Sequence, residues 1–218
     1  MLKKSFVVNK NLYSVYKKNK NKKYNYQKVL WSSKISMTGR YWLLNKLIKN
    51  KSYNNWLDIG TGTGDIYKYI NKNKFQNIDA LEPINHLFKI VKKNNSDINI
   101  YNQTLSNFKI KNKYNLVSCI GVIQNCGSSP LLFLKKVCKI IQKNGYLYLT
   151  SKNINWAKFK SEDYNLELDH SWFDIEEIKK ILKNNNLKII KSDGFLPKEK
   201  KIVNYKLSHT FFIWARKN

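Results

Sequence analysis

Trp56-Leu57-Asp58-Ile59-Gly60-Thr61-Gly62-Thr63-Gly64-Asp65 reads as the end of a buried strand, a glycine turn and the start of a helix. Three of only eight glycines fall within these five turn positions. Strand, glycine turn and helix in that order build a ligand crevice at the edge of a doubly wound α/β sheet. The charges narrow the ligand. A dinucleotide fingerprint G-x-G-x-x-G would need glycine at 65, where this chain has Asp65. A carboxylate in the first helical turn suits the helix dipole but would repel a pyrophosphate on the same N-terminus. Asp58 adds a second acid at the strand end. Two acids beside bare glycine backbone suit a ligand with cationic groups and no phosphate.

The stretch Leu57 to Gly64 resembles the first motif of the class I S-adenosylmethionine-dependent methyltransferases, whose donor carries a sulfonium and an ammonium. The resemblance continues in order. Asn77-Ile78-Asp79-Ala80-Leu81-Glu82-Pro83 resembles the second strand with its terminal acid, and Tyr114 through Gln124 the fourth strand and following loop. Leu131 through Thr150, with Asn144-Gly145 at a turn, resembles the next helix and fifth strand. The family fold implied is a Rossmann-like, doubly wound, mostly parallel seven-stranded sheet with a reversed last strand, in a single domain over residues 35–218. Residues 1–34, rich in Lys, Asn and Tyr with no sustained period, are expected to be an extension that is partly disordered or caps the cleft.

Periodicity supports the alternation such a sheet requires. Strands are expected near 55–59, 77–82, 98–101, 115–121 and 145–151, and helices near 64–73, 84–94, 128–143 and 173–186. A further helix should run from Thr38 as N-cap to about Asn50. The connection from Asn102 to Lys113 is too short for a full crossover helix. The β-like runs Leu187–Ile190 and Lys206–Ala215 have no helix between them and should pair antiparallel. The long 152–170 segment is expected at the ligand-binding strand ends.

The resemblance also assigns a cofactor site for S-adenosylmethionine. Gly60, Thr61, Gly62 and Gly64 would line the methionine portion, with Asp58 on the ammonium side. Glu82 would accept both ribose hydroxyls, and Pro83 and Ile84 would pack on adenine. Thr104 and Leu105 stand where the family often has an Asp for the adenine amino group; a threonine hydroxyl makes a weaker contact there. Ile120 ends the fourth strand beside the cofactor. Arg40 is either a cation over the cofactor carboxylate, where related small-molecule methyltransferases can place one, or an exposed helix cation.

Methyl transfer asks an enzyme to align a nucleophile, exclude water and, where needed, remove a proton. The expected base is His170, in Leu168-Asp169-His170-Ser171-Trp172-Phe173, since imidazole has a suitable intrinsic pKa. That segment resembles the His-containing stretch before the late helix of ubiquinone-biosynthesis O-methyltransferases. Gln124 and Asn125 would face the transferred methyl and orient a hydroxyl. Trp31, Trp156 and Trp172 lie in segments that could cover the cleft and suit a planar acceptor. His86 and His209 read as structural.

Composition sets the remaining bounds. The formal net charge is +27, from 41 Lys and Arg against 14 Asp and Glu. Only Arg40 and Arg216 are arginines, alanine is scarce, and Lys, Asn, Ile and Tyr abound. An A/T-rich genome yields that pattern without a polyanion partner, and bidentate phosphate or base recognition favours Arg over Lys. A nucleic-acid partner is therefore not favoured over a small-molecule acceptor. The fourth strand is followed by Ile120-Gly121-Val122-Ile123, not the [DNS]-P-P-[YF] of adenine and cytosine amino-methyltransferases, and Cys126 follows Asn125 rather than the Pro of a cytosine-C5 nucleophile. Ribose and other base-modifying enzymes need neither motif, so RNA methylation stays as an alternative. A non-catalytic cofactor-binding protein is the second. Three unpaired cysteines, no membrane-length apolar run, no signal-peptide core and no metal-ligand spacing point to a cytoplasmic, metal-free protein. Oligomeric state is left open.

Overall fold

The computed structural model describes residues 2, 4–7, 13–110, 112–126, 129–159 and 170–218. Asp169, most of the 152–170 segment and part of the 1–34 extension lie outside them.

A single mixed sheet organises the described chain. Its strands are β1 (Tyr53–Ile59), β2 (Phe75–Leu81), β3 (Asn99–Tyr101), β4 (Tyr114–Ile120), β5 (Ile141–Lys152), β6 (Leu187–Leu196), β7 (Lys201–Val203) and β8 (Thr210–Lys217). They lie in the order β3-β2-β1-β4-β5-β8-β6-β7. The five on the β3 side pair parallel. β8 runs antiparallel to both β5 and β6, as the reversed last strand requires.

The core follows from strand periodicity, which sends neighbours to opposite faces. Leu57, Val117, Leu149 and Ile213 point into one buried layer, with Leu134 and Val137 of α5 (Pro130–Ile140) and Ile178 and Leu182 of α6 (Ile175–Asn184). Their chain neighbours Trp56, Leu116, Tyr148 and Phe212 point into the other, against Leu43, Leu44 and Ile48 of α3 (Lys34–Ile48). Burial on both faces explains why the central strands read as near-continuous apolar runs. Before α3 lie two short helices, α1 (Tyr13–Lys18) and α2 (Asn25–Lys28); α4 (Asn85–Asn94) follows β2.

Four expectations are corrected. The sheet has eight strands, not seven: Lys201–Val203 adds an antiparallel edge beside β6, and lysines at positions 198, 200 and 201 mark it as an edge. The expected helix over 64–73 is two 3-10 turns, Asp65–Lys68 and Lys72–Lys74. Polar side chains compete with a helical backbone there: Asp65 accepts from Thr63 Oγ1 at 2.7 Å, and Asn71 Oδ1 accepts from Asn73 N–H at 3.1 Å. α3 begins after Ser33, whose side chain accepts from Ser36 N–H at 3.1 Å, and not after Thr38. The helix expected over 128–143 ends at Ile140, and Asn144-Gly145 lies inside β5 where its register with β4 shifts. Asn144 takes a left-handed φ of 64° there. Among the described residues no helix is long and apolar enough to cross a membrane.

Candidate functional site

The site lies at the carboxyl ends of β1, β2 and β4, around a cavity of about 640 Å³, within the range of small-molecule and cofactor sites. Its wall after β1 is the glycine turn. Gly60, Gly62 and Gly64 have φ of 70°, 63° and 74°, a region in which L side chains are strained. A Cβ on Gly62 would stand 2.8 Å from Val29 Cγ1, so the bare backbone lets the N-terminal segment close over the turn.

Glu82, only 3% exposed and just past the end of β2, lines the cavity. Its Oε2 accepts from Gly62 N–H and its Oε1 from Ile84 N–H, both at 2.8 Å. A carboxylate offers about four acceptor positions, so about half remain after these two bonds. Burial raises its pKa from 4.5 to about 7, against the opposing pull of the two backbone donors.

Asp58, 3% exposed, is tied into the sheet. Ser118 Oγ donates to its Oδ1 at 2.5 Å and Tyr67 Oη to its Oδ2 at 3.2 Å. Trp56 Nε1 in turn donates to Ser118 Oγ, and Thr61 Oγ1 to Tyr67 Oη. Burial pushes the Asp58 carboxyl up, while its hydroxyl donors oppose the shift.

Of the residues singled out from the sequence, Asp58, Gly60, Thr61, Gly62, Glu82, Pro83, Thr104, Leu105, Ile120 and His170 line this one cavity. Gly64 lies behind the turn, where a Cβ would meet Val91 of α4. The Thr104 hydroxyl is engaged locally, 2.6 Å from Ser106 Oγ. Arg40 is neither exposed nor on the cavity wall. Its Nη1 donates to the Ser36 carbonyl (2.5 Å) and hydroxyl (3.0 Å), and its Nη2 to Thr210 Oγ1 at 2.9 Å. Its guanidinium lies 4.3 Å from the centre of the Trp31 ring, which does line the cavity. Among the described residues no carboxylate pairs with it, and burial lowers its pKa to about 10. Trp156 and Trp172 do not line the cavity, and Trp172 is fully buried.

The far wall comes from β4, the 170s and the N-terminal segment. His170 is 8% exposed, with Nδ1 2.7 Å from Asn125 Oδ1. Tyr16, Val29, Leu30 and Trp31 close the cavity from residues that the sequence left without a period. Tyr16 was not singled out; the one signal was a cluster of apolar residues at 29–31 in a polar stretch. Gly121 (φ 68°) makes room for Trp31, since a Cβ would lie 2.6 Å from Trp31 Cη2. Cys126 also lines the cavity, but burial pushes its thiol up to about 12, which leaves it protonated and a poor nucleophile. Among the described residues no group of three His, Cys, Asp or Glu could hold a metal ion.

A methyltransferase-domain family model matches residues 40–192. Among solved structures the chain is similar to the N-methyltransferase NodS from Bradyrhizobium japonicum WM9 in complex with S-adenosyl-L-homocysteine. Identity is 12%, over 95% of this chain and 99% of that one, with a TM-score of 0.70. It is similar to an S-adenosylmethionine-dependent methyltransferase from Clostridium acetobutylicum ATCC 824 (15% identity, 88% and 96% coverage, TM-score 0.69). It is also similar to the plantazolicin methyltransferase BpumL in complex with a triazolic desmethylPZN analog and S-adenosylhomocysteine (13%, 94% and 90%, 0.67). At these identities the likeness is one of fold. No curated protein matches by sequence.

Proposed function

The chain belongs to the methyltransferase-domain family, and we propose that it transfers the methyl group of S-adenosylmethionine to a hydroxyl of a small, partly planar acceptor. The observation that carries the acceptor chemistry is His170, an imidazole on the wall of the same cavity as the glycine turn and Glu82. When bound, S-adenosylmethionine supplies a methyl carbon already activated by the sulfonium.

The residues present fit that donor. Gly60 to Gly62 would lie along its methionine portion, with Asp58 beneath them. The remaining acceptor positions of Glu82 suit vicinal ribose hydroxyls, and Pro83, Ile84 and Leu105 suit an adenine ring. Among the described residues the cavity wall carries no Lys or Arg beside the glycine turn, in keeping with a donor that has no phosphate.

The chain's own contribution to the chemistry is placement, exclusion of water and one proton. Trp31, Val29 and Leu30 cover the cavity and keep bulk water out. His170 accepts the proton of the acceptor hydroxyl, which a phenol or enol gives up to imidazole far more readily than an alkanol does. Trp31 offers an aromatic face for such an acceptor. The ubiquinone-biosynthesis O-methyltransferases fit this reading best among the enzymes that the sequence resembles. Methylation of RNA fits less well: despite the net charge of +27, Lys136 is the one lysine on the cavity wall among the described residues, and its ammonium donates to the Ser106 carbonyl at 2.9 Å.

The test is release of S-adenosylhomocysteine from S-adenosylmethionine across a panel of phenols, enols, amines and a short RNA. Turnover of phenols or enols that His170→Gln lowers about 10²-fold or more supports the reading. Turnover of amines or RNA alone overturns the acceptor class. Cofactor binding with no turnover on any acceptor favours a non-catalytic binding protein.

A further inference from the structure

The His170 backbone is fixed by several segments meeting at one point. Ser171 N–H donates to the Gln124 carbonyl at 2.9 Å. Trp172 and Phe6 exchange two backbone hydrogen bonds, both 2.8 Å, in an antiparallel bridge. Phe173 N–H donates to the Lys152 carbonyl at 3.1 Å, and Lys152 N–H donates to Gln124 Oε1 at 3.2 Å. The strand ends of β4 and β5 thus set where the imidazole stands.

The state of the ring follows from Asn125. Its amide Nδ2 lies 3.4 Å from the Gly121 carbonyl and 3.1 Å from Tyr16 Oη. A carbonyl only accepts, so turning the amide over would set two oxygens against each other at Gly121. Oδ1 therefore faces His170. An amide oxygen also only accepts, so Nδ1 of His170, 2.7 Å away, carries the proton. The neutral ring has one N–H, which places the lone pair on Nε2. The other end of the amide is held by Tyr16 of α1, 109 residues away along the chain. Tyr16 accepts that bond, so its own proton is not spent on Asn125. Burial and the Glu82 charge raise the phenol well above its ordinary value and keep it protonated.

We propose that Asn125 is the positioning residue that selects the Nδ1–H tautomer of His170, and that Tyr16 of the N-terminal segment holds Asn125 in the orientation this requires. The inference rests on the reading of His170 as the base. In the proton step the acceptor O–H bond breaks, its proton goes to Nε2 and its electron pair stays on the acceptor oxygen. The imidazolium keeps its Nδ1–H on Asn125 Oδ1, whose negative end stabilises the charge, and it later returns the proton to water. Histidine free in solution favours the Nε2–H tautomer, which would present a donor where a base is needed. Asn125 reverses that preference. Tyr16 makes the reversal depend on the N-terminal segment being seated.

The decisive measurement reads the two ring nitrogens of His170 by nitrogen-15 NMR, in full-length protein with S-adenosylhomocysteine, at a pH where the ring is neutral. His170→Gln assigns the signals among three histidines. The proposal expects a protonated Nδ1 and an unprotonated Nε2 in the wild type, a swing towards Nε2–H in Asn125→Ala, and a smaller swing in Tyr16→Phe. Asn125→Asp should retain Nδ1–H and raise the pH at which the ring titrates, which a merely structural brace would not do. On a phenol that the enzyme turns over, Asn125→Ala should lower kcat by about 10²-fold, the low end of what a positioned base supplies, with KM little changed. A protonated Nε2 in the wild type, or an unchanged tautomer in Asn125→Ala, overturns the proposal and leaves methyl transfer standing. The expected tautomers together with full turnover by His170→Gln would instead sink the reading of His170 as the base.

Discussion

Gly62 N–H and Glu82 Oε2 are 2.8 Å apart, so the residue that follows β2 also holds the glycine turn that follows β1. The other oxygen of the same carboxylate holds Ile84, at the entry to α4. One side chain therefore clamps two loops that both border the cavity. Glu82→Gln keeps one acceptor oxygen but turns an amide N–H donor towards a backbone N–H donor. A buried donor without its partner costs about 1–3 kcal/mol. Urea unfolding should show a loss of that size, and calorimetry should show weakened binding of S-adenosylhomocysteine.

The raised pKa of Glu82 gives that clamp a pH dependence with a definite sign. The folded protein holds this proton up to about pH 7, whereas the ordinary value is 4.5. Between those values the native state binds more protons than the unfolded one, so this group's contribution to stability falls as pH rises through the window. Ligand affinity should move the other way. Ribose hydroxyls donate to the ionised carboxylate, so affinity for S-adenosylhomocysteine should rise with pH through about 7. Glu82→Gln should flatten both trends, read by urea titrations and calorimetry across the window.

Asn25 of α2 donates to Asp65 Oδ2 at 2.8 Å, which pins the N-terminal segment to the far side of the glycine turn. Removing the donor in Asn25→Ala should loosen residues 13–31 without unfolding the sheet. The segment is rich in lysine, so limited trypsin digestion reads it directly. Cutting between Lys17 and Lys28 should be faster in the variant, and S-adenosylhomocysteine should restore part of the protection.

Gly121→Ala tests the roof. The residue has φ 68°, and the new methyl would lie 2.6 Å from Trp31 Cη2, a ring held in place over Arg40. Backbone strain of this kind costs about 1–3 kcal/mol. The urea midpoint should fall accordingly. Because Trp31 must shift, KM for a planar acceptor should rise more than the affinity for S-adenosylhomocysteine falls.

The parts of this structure that could be read from sequence are those specified locally. The glycine turn, the acid at the end of β2 and the apolar central strands each announce themselves within about ten residues, and their alternation implies the parallel sheet. The antiparallel pairing of β6 with β8 was legible because no α-helix separates two β-like runs, although a 3-10 turn, Tyr205–Leu207, takes the start of the second and β8 begins at Thr210. What escaped was set by contacts between distant residues. The 64–73 stretch looks helical by its apolar spacing, but Asp65 is claimed by Thr63 and Asn25, and the backbone settles into 3-10 turns. Tyr16 sits in a segment with no period, and only its partner Asn125, in the 3-10 turn after β4, shows why it is in the cavity. The guanidinium of Arg40 faces Ser36, Thr210 and Trp31, a set of partners drawn from both ends of the chain.

The position of β8 in the middle of the sheet bears on how the molecule is made. Thr210–Lys217 lies between β5 and β6, hydrogen-bonded to both. While residues 1–196 emerge from a ribosome, β5 and β6 therefore have no strand between them, and each presents an open edge to any neighbouring chain. Closing the sheet must wait for residues 210–217, and the Phe6–Trp172 bridge demands contact over a still longer span. Pairings this far apart in sequence fold slowly. A nascent or stalled form would be a far better substrate for a chaperone than the finished protein.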